Sequence, residues 1–136
     1  MAVIGTTNSS DVTAGTDATA VQYNNLRKDV TAGAGKINQN TDGATVTFDL
    51  ATEKNHEVTL GGNRTLALSN ANIGQIFTIK LKQDATGSRT VTWFSTISWA
   101  GGAAPALTTT ANKADRFVFI CTGSATYEGH VVGQNI

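Results

Sequence analysis

The sequence has 136 residues, of which 15% are charged, with ten basic side chains against ten acidic ones. This balance offers no clustered positive charge for nucleic acid or an anionic membrane, and no apolar run is long enough to span a bilayer. The single cysteine, Cys121, excludes an intramolecular disulfide and a cysteine-based zinc site. The opening "MAVIGTTNSSDV" lacks the features of a secretory signal, so we expect synthesis in a reducing cytoplasm.

Low charge is combined here with 14 glycines, one proline and abundant threonine. Threonine is β-branched and polar and suits the solvent face of a strand. A charge-poor, β-prone chain is an aggregation hazard unless its strand edges are paired or covered. The composition therefore favours a protein that works inside an oligomeric assembly.

Residues 1–43 form a polar arm with one helical pattern, predicted at about 17–32. Tyr23, Leu26 and Val30 lie at i, i+3 and i+7, on one face of that helix. Such a narrow apolar stripe does not hold an isolated helix in water. We therefore expect Tyr23, Leu26 and Val30 to dock on a partner or on their own domain, and we assign the arm to anchoring and assembly.

From residue 44 to residue 136 the apolar residues recur every second position, as in "ATVTFDL" and "QIFTIKLKQ". Glycine-rich turns such as "GGNR" and "DATGS" separate these segments. Seven or eight short strands at this spacing predict an all-β module, an antiparallel sandwich resembling a jelly roll. In "RFVFICTG" both faces are apolar, which predicts a central strand covered on both sides.

Both tryptophans lie in "SRTVTWFSTISWAGG". Trp93 shares a face with Val91, opposite two threonines, so we expect Trp93 to point into the sandwich. Trp99 follows a break in the alternation and is expected to cap an open end or to contact a neighbouring subunit. With Tyr127, it is also a candidate surface contact for a glycan.

The remaining polar residues predict no catalytic, cofactor or metal site. His56 and His130 have no convergent partners, and each is interpreted as an exposed or cross-strand polar residue. Cys121 alternates with phenylalanines and reads as a small core residue. "TAGAGK" fails the phosphate-loop pattern and is interpreted as a hinge, and Asp42 is assigned to a turn.

The motifs "TLGGNRTLALSN", "GSRTVTWFSTI" and "FICTGSATYEGHVVGQNI" resemble a module of tailed-bacteriophage virion proteins, in particular the distal domains of tail fibres. "GTDATAVQYNNLRKDV" is similar to segments through which such proteins join the virion. The sequence departs from a typical fibre in having no long shaft between these parts. A compact knob and a repeating surface subunit therefore both stay open.

The resemblance implies a non-enzymatic structural protein of the virion surface, made in the host bacterial cytoplasm. It implies a tail fibre, an appendage or a head decoration subunit. The expected partners are other copies of the chain, with a trimer favoured, and other virion proteins. The alternative is a carbohydrate-binding module or adhesin that recognises host surface glycans through Trp99 and Tyr127.

Overall fold

The computed structural model describes residues 36–136, and the compact unit within them runs from Ile37 to Ile136. This part of the chain contains nine strands and no helix, which confirms the all-β prediction. The predicted helix at about 17–32 lies outside the described residues. The strands are β1 (Ile37–Gln39), β2 (Thr45–Asp49), β3 (Asn55–Leu60), β4 (Arg64–Ser69), β5 (Ile76–Gln83), β6 (Val91–Thr92), β7 (Ile97–Trp99), β8 (Ala114–Gly123) and β9 (Thr126–Gly133).

The strands form a six-stranded sheet in the order β1-β3-β5-β8-β9-β7 and a three-stranded sheet in the order β2-β4-β6. From β1 to β6, successive strands alternate between the two sheets. Strands β1 to β4 each pair in parallel with the second strand after them in the sequence. In the pair of β2 and β4, for example, Thr45 lies beside Thr65. The chain therefore winds as a short coil, and β8 and β9 extend the larger sheet by antiparallel pairing.

The predicted antiparallel arrangement is correct only for β5, β8 and β9. The other strand pairs of the described part are parallel, including β7 with β9. Alternation of apolar and polar residues has a period of two in both kinds of sheet, so the pattern locates strands without giving their relative direction. The parallel pairs arise because each short turn passes the chain to the other sheet.

One apolar core lies between the strands of the two sheets. In β5, Phe77, Ile79 and Leu81 are buried, while the intervening side chains stay partly exposed. Phe48 on β2 and Leu66 on β4 belong to the same cluster. Each buried residue of this size contributes about 1.5–3 kcal/mol by leaving water, so this shared cluster is the main reason why the coil closes.

Strand β8 is central, between β5 and β9, as its sequence predicted. Its inward residues Phe117, Phe119 and Cys121 are buried, whereas Val118 and Ile120 on the opposite face are only half-buried. The predicted cover on both sides is therefore present on one side only within the described residues.

Two Asp–Arg pairs stabilise the turns that lead from the large sheet to the small one, Asp42–Arg64 between two such turns and Asp84–Arg89 within one. Arg64 donates from Nε and Nη2 to the two oxygens of Asp42, at 2.8 and 2.6 Å. Arg89 contacts Asp84 in the same way, with the closest approach at 2.8 Å. The arginine hydrogen bonds hold the pKa of both carboxyls below their usual range, that of Asp84 at about 2. Asp42, which the sequence predicted as a turn residue, thus joins two successive turns of the coil.

The described start of the chain packs with the β strands. Strand β1 pairs with β3, and Asp42 also accepts a hydrogen bond from the Gly61 amide at 3.2 Å. These residues fall inside the segment 1–43 that the sequence assigned to the arm. Its role as a separate anchoring segment stays a prediction for the residues before Lys36.

Candidate functional site

The outward side of the six-stranded sheet carries an apolar strip formed by Ile76, Val118 and Ile120, which we call the outer strip. Ile37 stands on the same face but is separated from the strip by Asn55 and Thr78. Ile76 pairs directly with Ile120 across β5 and β8, and Val118 is the next outward residue on β8. The exposed fractions of Ile37 and Ile76 are 50% and 55%, while Val118 and Ile120 are half-buried. Because contiguous exposed apolar residues mark interaction surfaces, the outer strip is a candidate contact site.

Charged residues flank the outer strip. Lys80 lies 3.8 Å from Glu57 on β3, and Arg116 lies beside Lys80 in register. Glu128 and His130, both exposed, stand beside Ile120 and Val118 on β9. An apolar centre with a charged rim is the usual composition of a protein–protein interface. The ion pair adds little stability because both groups are partly exposed.

An aromatic cluster covers the inward side of β8 and β9. The ring centroids of Trp93 and Trp99 are 4.9 Å apart, and Trp93 also lies 5.1 Å from Phe117 and 5.8 Å from Phe119. Trp99 lies 5.6 Å from Phe119. Both tryptophans are half-buried and pack against the core, as expected for Trp93. Their partly exposed sides leave a small aromatic surface at this end of the sheet.

Tyr127 does not belong to that surface. Its exposed fraction is 6%, and its ring lies 5.1 Å from the ring of Phe94 and 6.2 Å from that of Phe77. Burial raises the pKa of its hydroxyl. The prediction that Tyr127 is a surface contact is wrong, because alternation along β9 turns this side chain into the core.

The two histidines occupy opposite environments. His130 is exposed, as predicted, whereas His56 is fully buried and contacts Asn38 across β1 and β3, so that of its two predicted positions the cross-strand one is correct. Cys121 is a free, buried cysteine, which confirms its interpretation as a core residue. Within residues 36–136, no three metal-ligating side chains converge, and no helix is long and apolar enough to cross a membrane.

Tyr23, Leu26 and Val30, the predicted assembly contacts of the arm, lie outside the described residues. The outer strip was not identified from the sequence, although a signal existed. Ile76 stands on the polar face of "QIFTIKLKQ", and Val118 and Ile120 make the second face of "RFVFICTG" apolar. Apolar residues on the face that should contact water are the sequence signal of a candidate interaction surface.

A family model with the description "Putative phage tail fibre C-terminal domain" matches residues 47–126. The match runs from β2 to the start of β9 and covers more than half of the sequence, so the chain belongs to this family of phage tail-fibre domains. No curated protein and no solved structure matches the chain. Membership makes the chain a structural component of the phage virion, in agreement with the resemblance seen in its motifs.

Proposed function

We propose that this chain is a self-assembling tail-fibre subunit that packs against other copies through the outer strip. The observation that carries the proposal is the exposure of Ile76 next to Ile120 on a sheet face that residues 36–136 leave open to water. Burial of this strip against another copy would gain about 25 cal/mol for each Å² of apolar surface removed from water. A trimer is the favoured stoichiometry, and membership of a tail-fibre family favours the tail over a head decoration role.

The face of the sheet is a better contact than its edges. The two edge strands, β1 and β7, have three residues each, so that either edge offers few free backbone groups to a neighbour. Short edge strands limit pairing between sheets of different molecules. Assembly through side chains of the outer strip, with Glu57, Lys80 and Arg116 at its rim, therefore fits this sheet better than strand addition.

Native mass spectrometry of the full chain tests the proposal. We expect the wild-type chain to be oligomeric, and Ile76→Lys to shift it to monomers because the charge would be buried in the contact. Ile136→Lys is the matched control, since Ile136 is exposed to the same degree, 56%, but lies at the far end of β8 beside Ala114. Equal oligomeric states of wild type and Ile76→Lys would overturn the assignment of the outer strip.

The arm completes this proposal as the link to the virion. Its predicted stripe of Tyr23, Leu26 and Val30 supplies an apolar contact, and the polar segments around the stripe act as flexible linkers that let it extend to a neighbouring protein. In this arrangement the β strands display a surface to the host while the arm anchors the subunit. Host attachment is thus proposed for the distal part of the chain and assembly for both parts.

The second candidate is a carbohydrate-binding module, favoured by the half-exposed pair of Trp93 and Trp99. Aromatic rings with one accessible side and polar neighbours suit contact with a sugar. A glycan array probed with the full chain distinguishes the candidates. Glycan binding that is lost in Trp99→Ala but kept in Ile76→Lys would establish the lectin role. An oligomer that binds no glycan would support the structural role and contradict the lectin role.

A further inference from the structure

Arg116 is a half-buried cation on the outward face of β8. It lies directly opposite Lys80 on β5 and opposite Gly133, which has no side chain, on β9. Like charges in directly opposite positions destabilise a sheet. Lys80 contacts Glu57 at 3.8 Å, but none of the ion pairs within residues 36–136 includes Arg116. Its planar guanidinium, which suits a carboxylate, therefore has no ionic partner in the described part of the chain.

Glu128 is an unpaired anion on the same face. It is exposed on β9, beside Ile120 of β8 and Ser98 of β7. No ion pair within residues 36–136 includes Glu128 either. Local conflicts that bring no gain to the fold are expected at functional sites. The two unpaired charges, one of each sign, therefore indicate a contact with another molecule.

The outer strip lies between these two charges. Arg116, Val118 and Ile120 are successive outward residues of β8, and Glu128 stands beside Ile120. Four residues of a strand span roughly 13 Å, so Arg116 and Glu128 are too far apart to pair with each other within one chain. The strip therefore has a positive end, where Lys80 and Arg116 lie, and a negative end at Glu128.

A second copy of the chain is the partner that suits both ends. An acidic ligand would be attracted by Arg116 but repelled by Glu128, and a basic ligand would meet the reverse. A neighbouring copy that packs its own outer strip on this one, positive end to negative end, gives each charge an opposite partner. The same match arises in a pair of copies and in a ring of three, when every Arg116 meets the Glu128 of a neighbour.

We propose that Arg116 and Glu128 form an ion pair between neighbouring copies, which fixes how one outer strip is oriented on the other. This inference rests on the proposed function of the strip as the contact between copies. The apolar residues of the strip supply the burial, and the ion pair selects one orientation among those that bury the same apolar surface. Reversal of either charge would place two like charges at each contact.

Sedimentation equilibrium of the full chain tests the ion pair. We expect Arg116→Glu and Glu128→Arg each to raise the dissociation constant of the oligomer at least about tenfold, because like charges then meet at the contact. The double variant Arg116→Glu/Glu128→Arg restores opposite charges and should return to within about threefold of the wild type. Single variants that assemble as the wild type does, or a double variant as weak as the single ones, would overturn the proposal.

Lys113→Glu is the matched control. Lys113 is exposed and precedes β8, outside the outer strip, so the same reversal of charge there should leave the dissociation constant unchanged. Urea unfolding at a dilution that dissociates the oligomer checks the fold of the variants. Glu128→Arg should then unfold at the wild-type midpoint, because Glu128 has no ionic partner within residues 36–136. Arg116→Glu should be at least as stable as the wild type, since its carboxylate would stand opposite Lys80.

Ile76→Lys separates this inference from the proposed function. If Ile76→Lys gives monomers but the charge reversals have no effect, the strip is the contact and the ion pair is wrong. If none of these variants changes the oligomer, both proposals are wrong.

Native mass spectrometry of the double variant mixed with the wild type gives a second test. Contacts between the two kinds of chain would place arginine against arginine and glutamate against glutamate, so we expect no mixed oligomers. Mixed oligomers in statistical proportion would contradict the ion pair.

Discussion

Trp99 lies directly against Gly129 across the parallel pair of β7 and β9. A Cβ atom placed on Gly129 would come within 2.8 Å of Cε3 and Cζ3 of Trp99 and within 2.8 Å of a methyl group of Ile97. The absence of a side chain at Gly129 therefore lets the indole lie against the strand. This contact holds β7 on β9 and completes the aromatic cluster above Phe117 and Phe119.

We expect Gly129→Ala to destabilise the fold by about 1–3 kcal/mol, the usual cost of forcing extra volume into a packed site. Gly133→Ala, on the same strand, is the matched control, since the nearest atom to its Cβ would be 3.8 Å away. Urea unfolding followed by fluorescence measures both variants. Equal stability of the two would contradict the close packing of Trp99 on Gly129.

The tryptophan pair should be energetically coupled. The rings of Trp93 and Trp99 meet edge to face at 4.9 Å, an arrangement worth about 0.5–1.5 kcal/mol beyond burial. A double-mutant cycle with Trp93→Ala and Trp99→Ala should return a coupling energy of this size. We also expect each single change to cost about 3 kcal/mol, near the lower end for a large aromatic, because both rings are half-exposed. Purely additive effects would show that the two rings act separately.

Asp84 should make stability depend on acid pH. Its carboxylate accepts hydrogen bonds from Arg89 and from the amides of Thr86 and Gly87, which hold its pKa at about 2 against an ordinary value of 3.8. The stabilisation from these bonds is present above pH 3.8 and is lost as pH falls towards 2. Asp84→Asn should lower the urea midpoint at pH 6 and make it fall less between pH 5 and pH 2. Glu128→Gln, which removes an exposed carboxylate, is the control and should keep the wild-type slope.

The strands could be read from the sequence, but their pairing could not. Alternation located β2 and β5 because each has one face in the core. The same alternation could not reveal that β1 to β6 pair in parallel, since the period of two is common to both directions. Pairing depends on which turns fold the chain back beside itself and which turns pass it to the other sheet.

His56 and Tyr127 show what the sequence could not predict about the environments of individual side chains. The sequence left an exposed and a cross-strand position open for His56 and did not reveal its burial, in which Asn38, Asn40 and the Glu53 carbonyl contact the ring. Tyr127 was named with Trp99 as a candidate surface contact for a glycan, yet it is the first inward residue of β9. In both cases the partners come from distant parts of the chain, and a local pattern cannot supply them.

The fragment 36–136 should fold by itself, because it contains every strand of the compact unit. The fragment 44–136 lacks β1 and Asp42, which leaves His56 without its amide partners and Arg64 without its carboxylate. A buried polar group without a partner costs about 1–3 kcal/mol. A loss of about 2 kcal/mol would lower the melting temperature by about 8–16 °C. Equal melting of the two fragments would place the boundary at residue 43 as the sequence first indicated.

Leu26 lies at the centre of the apolar stripe predicted for the arm. Leu26→Asp would place a charge between Tyr23 and Val30 and should abolish incorporation into particles or fibres. If the stripe contacts another molecule and not the β strands, the melting of residues 44–136 should stay nearly unchanged in the full chain. Asn25→Asp adds the same charge one position away, off the stripe, and should assemble normally. Electron microscopy and co-sedimentation with assembled particles measure both variants. If Leu26→Asp assembles as well as Asn25→Asp, the stripe is not an assembly contact, and the proposed anchoring role of the arm is wrong.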